Sequence, residues 1–315
     1  MSDRLGDRAL VGLTAGASVI AVVIIGLIIY QVVDSASPAI SKLGLGFLGH
    51  QTWNGTDVFG AATMIYGTAV TSVGALLIAG PLGIAIGLYL SLLTSGRTAA
   101  IIGPLVELLA AVPSVIIGLW GIVVLDPIMR STIEPALHNV LGWIPLFGSP
   151  SLSGAGIFTA ILILAIMALP IIAAITRDLF LTVPSELKDG ALALGATRWE
   201  MVRGVVLGSM RPGIASACIL GASRAIGEAI AVVQVIGMVY QIPLNQFANG
   251  ATLASNMALH ATDNSTPLET ASIFYLGVIL LVMELIVNLA AQAIVRYYRL
   301  PDVTSGAAAV AVDEL

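Results

Sequence analysis

The sequence predicts an all-α, polytopic membrane protein with six transmembrane helices, on three observations. Hydrophobic residues make up 58% of the 315 and charged residues only 10%, and the mean hydropathy is +1.01. A soluble domain carries about a quarter charged residues, so this chain has too much apolar surface for a water-facing fold. Apolar runs long enough to cross ~30 Å of hydrocarbon recur along the chain. Strand signals are confined to short loop segments, and the 33 glycines favour close helix packing in lipid.

The first span is expected over 9–30, an uncharged run preceded by Arg4 and Arg8. A cleaved signal peptide has an apolar core of only about 7–15 residues, so this run is read as an anchor. Further spans are expected over 66–93, 101–125, 156–176, 213–239 and 272–295. Pro113 and Pro170 are expected to kink the helices that contain them. Ten of the thirteen Lys and Arg residues fall on the side of the segment 184–212, and only Lys42 and Arg130 fall opposite. That positive-inside bias places the segment and both termini on the cytosolic side of the membrane. Outer loops are expected over 31–65, 126–154 and 240–271, with Trp53, Trp143 and Tyr240 at the interface. The chain then divides into an anchor with its outer loop (1–65), a core (66–300) and a small, acidic, disordered tail (301–315).

The segment 184–212 interrupts this oily chain with charge. Ser185 is suited to cap a short helix, with Glu186 and Asp189 complementing the positive end of its dipole. Gly195 can end that helix in a left-handed turn. Thr197-x-x-Glu200 reads as a capping box opening a second helix, with Trp199, Val202, Val205 and Val206 on one face and Arg198 and Arg203 away from it. Helix, glycine corner and helix make a rigid knob for an external partner to grip.

Arg224 is the other sharp feature. It lies eleven residues beyond Gly213, about 16 Å along a helix and near the bilayer midplane. A charge there costs from ~3 to more than 10 kcal/mol unless paired or wetted. Glu228 follows at i+4 and can pair with it. Glu284 is expected at similar depth on the last span, and Glu107 nearer the cytosol on the third. Two readings stay open for these residues: a polar gate or pathway for an anion, to which Arg offers a planar fork, or an ion pair that only sets helix register.

Nothing else in the chain suggests catalysis. No phosphate-cradling G-x-x-x-x-G-K-[ST] loop is present, so the chain is not expected to hydrolyse ATP. His50, His138 and His260 lack metal-ligand spacing, Cys218 lies in an apolar run, and no basic tract suggests nucleic acid. No cofactor is implied. Ala217, Gly221 and Ala225, and the pair Gly83/Gly87, read as helix contact faces.

The loop resembles that of bacterial ABC importer permeases, E-A-A-x-x-x-G followed nine residues later by I-x-L-P. Asp189, Gly190 and Ala191 hold the E-A-A positions, Gly195 the glycine, and Val205 and Leu207 the apolar pair, while Gly208 replaces the proline. Further stretches resemble phosphate importer permeases of the PstC type: Trp53-Asn54, Phe59-Gly60-Ala61, Ile65-Tyr66-Gly67-Thr68, the run Val112 to Gly121, Ala193-Leu194-Gly195-Ala196-Thr197-Arg198-Trp199-Glu200, and Ser223-Arg224-Ala225-Ile226-Gly227-Glu228. The resemblance implies a type I (MetI-like) importer permease core with one extra N-terminal helix. It implies that Glu186, Asp189, Gly190, Ala191, Gly195, Ala196, Thr197 and Trp199 contact an ATPase. The implied partners are a homologous permease (PstA type), two ATPase subunits, an extracytoplasmic phosphate-binding protein and inorganic phosphate, all in membrane lipid. A permease for another oxyanion, or an ion-coupled carrier, is the rival expectation.

Overall fold

The computed structural model describes residues 2–54, 58–261 and 266–297, the side chains of 2–9 and 297 excepted. The tail 301–315 lies outside the described residues. Helix α1 (Ser2–Leu43) is longer than the expected span, continuing through residues expected in a loop. Its apolar residues from Leu10 to Tyr30 are exposed on every side, as suits a helix bathed in lipid. Among its described side chains the C-terminal end packs, through Ala36 and Ala39, in a cluster with Tyr275, Leu276 and Ile279. After it, Phe47 stacks on Tyr275 with ring centroids 4.6 Å apart, and Trp53 meets Phe59 edge-on at 5.0 Å. Trp53 is therefore buried in an aromatic knot rather than placed at the interface. Trp143 is exposed, while the Tyr240 hydroxyl donates to Asn256 Oδ1.

Helix α2 (Ala62–Leu93) follows the expected second span. The expected third span is overturned. Helix α3 (Gly96–Ala110) stops, and α4 (Ser114–Leu141) begins anew beyond Pro113. Proline lacks the amide N–H, clashes with the preceding turn and biases Val112 toward extended backbone, so the run is cut rather than kinked. Helix α4 then runs on through much of the expected outer loop. It passes Pro127 and Pro135 because a widened π turn precedes each, at Gly121–Leu125 and Met129–Ile133.

Helix α5 (Ile157–Leu181) is the buried axis of the bundle and carries Pro170 without interruption. Added Cβ atoms at Gly83 and Gly221 would stand 2.9 and 2.7 Å from Ile172 on α5. Missing side chains at these positions let α2 and α8 (Arg211–Gly227) close on α5. Between α5 and α8 lie α6 (Ser185–Ala193) and α7 (Arg198–Ser209), the latter bent 71° from α8. The expected fifth span is broken. Helix α8 ends at Gly227, Glu228 is extended (φ −74°, ψ 118°), and α9 (Ile230–Val235) restarts the helix. The chain then turns back at Gly237 and Met238, both with positive φ. It re-enters through α10 (Leu253–Leu259), capped by a Thr252/Ser255 box, before the last span α11 (Pro267–Tyr297). Among the described residues, five helices are long and apolar enough to cross a membrane, or six with the bent α7–α8 pair.

Candidate functional site

The knob between α5 and α8 is built by local chemistry. The Gly195 N–H donates to Leu192 O at 3.0 Å and the Ala196 N–H to Ala191 O at 3.1 Å. These two bonds form a Schellman closure, which needs a left-handed residue between them, and Gly195 has φ +89°. The capping box forms as expected: the Glu200 N–H donates to Thr197 Oγ1, and the Thr197 N–H donates to Glu200 Oε2 at 2.8 Å. The Thr197 backbone N–H and hydroxyl hold the Glu200 carboxyl below its ordinary range. Two details differ from expectation. Pro184, not Ser185, occupies the cap position of α6, since proline's fixed φ ends the preceding segment one residue earlier. Trp199 points to solvent, 64% exposed, while Met201, Val202 and Val206 pack with Phe180 and Val183 under the ends of α5 and α2. Glu186, Asp189, Gly190, Leu187 and Leu194 are also exposed, and Ala191 and Ala196 are half-buried. The knob thus presents an apolar and acidic rim and is seated by a separate apolar cluster.

At the other end of α8, Arg224 Nη2 lies 3.5 Å from Glu228 Oε2. Arg224 sits in the last turn of the helix, where its charge complements the negative dipole end. Glu228 stands in the gap between α8 and α9 and accepts from the Ala231 N–H at 3.3 Å. The Glu228 side chain is 7% exposed and that of Arg224 43%. So the carboxylate is rooted and the guanidinium reaches outward. Broken helices at membrane depth are tolerated where the freed backbone is buried in protein or lines a wet cavity, and Glu228 meets one of those backbone groups.

The structure does not gather all four expected pathway residues. Glu107 pairs with Arg177 of α5 at 2.9 Å, away from Arg224. The break at Pro113 is the reason, because it detaches α3 from the span to which Glu107 had been assigned. Glu284 is half-buried on α11 and makes no ion pair or hydrogen bond among the described residues. Two buried carboxylates on α4 escaped sequence reading, as did Glu269 on α11. Asp126 and Glu134, 8% and 0% exposed, lie on α4, and Glu134 Oε2 accepts from the Ser151 N–H at 2.6 Å. Each immediately precedes a proline, within the stretch expected as an outer loop. Their spacing of eight residues, which recurs along one helical stripe, was the available signal. Another cluster joins His260 Nδ1 to the buried Glu269 at 3.5 Å, with the Tyr240 hydroxyl 3.2 Å from His260 Nε2. Burial and the Glu269 carboxylate push the Tyr240 hydroxyl up to about 12.

Comparison with known proteins places this architecture. The family profile of binding-protein-dependent transport system inner membrane components matches residues 81–299. The phosphate transport system permease protein PstC of Mesorhizobium japonicum is 39% identical over 298 residues, covering 93% of this chain and 90% of that protein. PstC of Haemophilus influenzae is 35% identical, covering 90% of both, and PstC 2 of Mycobacterium tuberculosis 37%, covering 92% of both. Among solved structures, a bacterial alginate ABC transporter in complex with its pentasaccharide-bound periplasmic protein aligns at TM-score 0.58 and 18% identity, over 89% of this chain and 93% of that one. The MetNI methionine ABC transporter aligns at TM-score 0.51 and 20% identity, over 76% and 95%. With five to six apolar spans, a cornered knob between the fourth and fifth, and this match along most of its length, the chain belongs to the binding-protein-dependent transport system inner membrane component family and has its type I importer permease fold.

Proposed function

We propose that this chain is a permease subunit of an ATP-driven phosphate importer, and that Arg224 and Glu228 line the phosphate path. The observation that carries the reading is the arrangement at the α8–α9 break: a half-exposed guanidinium held 3.5 Å from a rooted, buried carboxylate. The cation attracts an oxyanion and offers it a fork of N–H donors. The carboxylate accepts a hydrogen bond from a hydroxyl-bearing anion such as hydrogenphosphate and repels sulfate, which has no proton to give. The relatives named as phosphate permeases support phosphate over other oxyanions.

ATP hydrolysis then belongs to two partner subunits. Each engages one knob, that of this chain presenting Glu186, Asp189, Leu187, Leu194 and Trp199 from the cytosolic side. A homologous permease completes the path, and an extracytoplasmic phosphate-binding protein delivers the anion. When the ATPases close, they draw the knob inward, and α8 carries that motion from Arg211 to Arg224. Reconstituting the four-component complex in vesicles tests this. ATP-dependent uptake of phosphate over sulfate and molybdate is expected; uptake that prefers either of the other anions, or proceeds without the ATPase, overturns it.

A further inference from the structure

Helix α8 takes motion from only one end of the knob. The other end is α5, and about two turns before Pro184 it carries Arg177. Arg177 Nη1 lies 2.9 Å from Glu107 Oε1 on α3, while its Nη2 and Nε donate to Asp178 Oδ1 at 2.9 and 3.1 Å. The reach across to α3 is built in. A Cβ added at Gly103, one turn from Glu107, would stand 2.7 Å from Nη1, so the missing side chain is the seat of the guanidinium. The Arg177 side chain is 22% exposed and that of Glu107 51%. Such a pair adds little to stability; its position is what matters.

Beyond Glu107, α3 ends at Ala110 and α4 begins at Ser114. Gly118 of α4 sits against α9: an added Cβ would be 2.6 Å from Gln234 Oε1 and 2.9 Å from Ala231 Cα. Ala231 is the residue whose N–H is held by Glu228. From α5 the route therefore runs through Arg177 and Glu107 to α3, along the chain at 111–113 to α4, and across Gly118 to Ala231 beside Glu228, while α8 runs from the knob to Arg224. The two routes leave opposite ends of the knob and end on opposite partners of the same ion pair.

We propose that Arg177 and Glu107 are positioning residues that form a second arm of the coupling lever, linking the entry to the knob with the Glu228 side of the path. This rests on the importer reading above. When the knob moves, α8 shifts Arg224 while the Arg177–Glu107 tie sets where Glu228 stands, so opening of the pair needs both arms. Without the tie, the ATPases still bind and turn over, but their motion reaches only one side.

The test uses the full complex in vesicles, scoring phosphate imported per ATP hydrolysed. Wild-type uptake establishes the importer reading on its own, so failure there is distinct from failure of this inference. Glu107→Gln and Arg177→Gln are each expected to lower the ratio about five- to tenfold, within the usual range of inter-site couplings, with ATPase retained on pull-down. The charge-exchanged pair Glu107→Arg/Arg177→Glu is expected to recover most of the loss. Ratios unchanged in both single variants, or a double variant no better than either, overturn the inference. Should the single variants not assemble, Gly103→Val fills the guanidinium's seat while keeping both charges. It is expected to show the same loss, and an unchanged ratio there overturns the proposal equally.

Discussion

Replacing Arg224 by Gln separates an anion path from a register pin. The variant removes one charge from a pair 3.5 Å apart and leaves a carboxylate 7% exposed. Removing a partner from a fully buried pair costs about 3–5 kcal/mol. Here Arg224 is 43% exposed, Glu228 keeps the Ala231 N–H, and the introduced amide can still donate, so the stability loss should be nearer ~1–2 kcal/mol. Transport loses more if the guanidinium grips the anion. One charge-assisted hydrogen bond is worth about 1.5–3 kcal/mol, or about ten- to hundredfold in uptake rate. The assay is ATP-driven phosphate uptake in vesicles, normalised to assembled complex. The double variant Arg224→Gln/Glu228→Gln makes the decision. A register pin survives as a neutral amide pair and transport returns; an anion path stays closed because the cation is still missing. Normal uptake in the single variant, or recovery in the double, would refute the role given to Arg224.

Other substitutions probe the scaffold. Gly195→Leu forces a side chain into a φ of +89° with open space around it, so the penalty is conformational, about 1–2 kcal/mol; loss of ATPase on pull-down is expected, and full retention contradicts the corner's role. Thr197→Ala removes the capping box and should loosen α7 by about 0.5–2 kcal/mol, seen as faster amide exchange over 198–202 with the transmembrane helices unchanged. Gly83→Ala places a Cβ 2.9 Å from Ile172, and overpacking of this kind costs about 1–3 kcal/mol. The complex should melt earlier in detergent, whereas Gly12→Ala, with nothing within 4 Å, should leave melting unchanged.

How much was legible in sequence divides along a physical line. Lipid offers no partner to a backbone N–H or C=O, so an apolar run must fold as helix; the spans begun at 9–30, 66–93, 156–176 and 272–295 and the all-α class follow from composition and length. The corner at Gly195 and the Thr197–Glu200 box were legible because they involve neighbours within six residues, where geometry leaves little choice. Proline was harder to read. The same residue cuts the chain at Pro113 and is passed at Pro127 and Pro135 after widened turns, and the packing around each decides which. Least legible were the partners of the charges. Glu107 meets Arg177 across seventy residues of chain, and Asp126 and Glu134 are buried only because α4 extends beneath the 149–156 loop. Helical spacing fixes the face on which a side chain stands, but which distant helix covers that face depends on the shapes of both, and tertiary packing alone settles it.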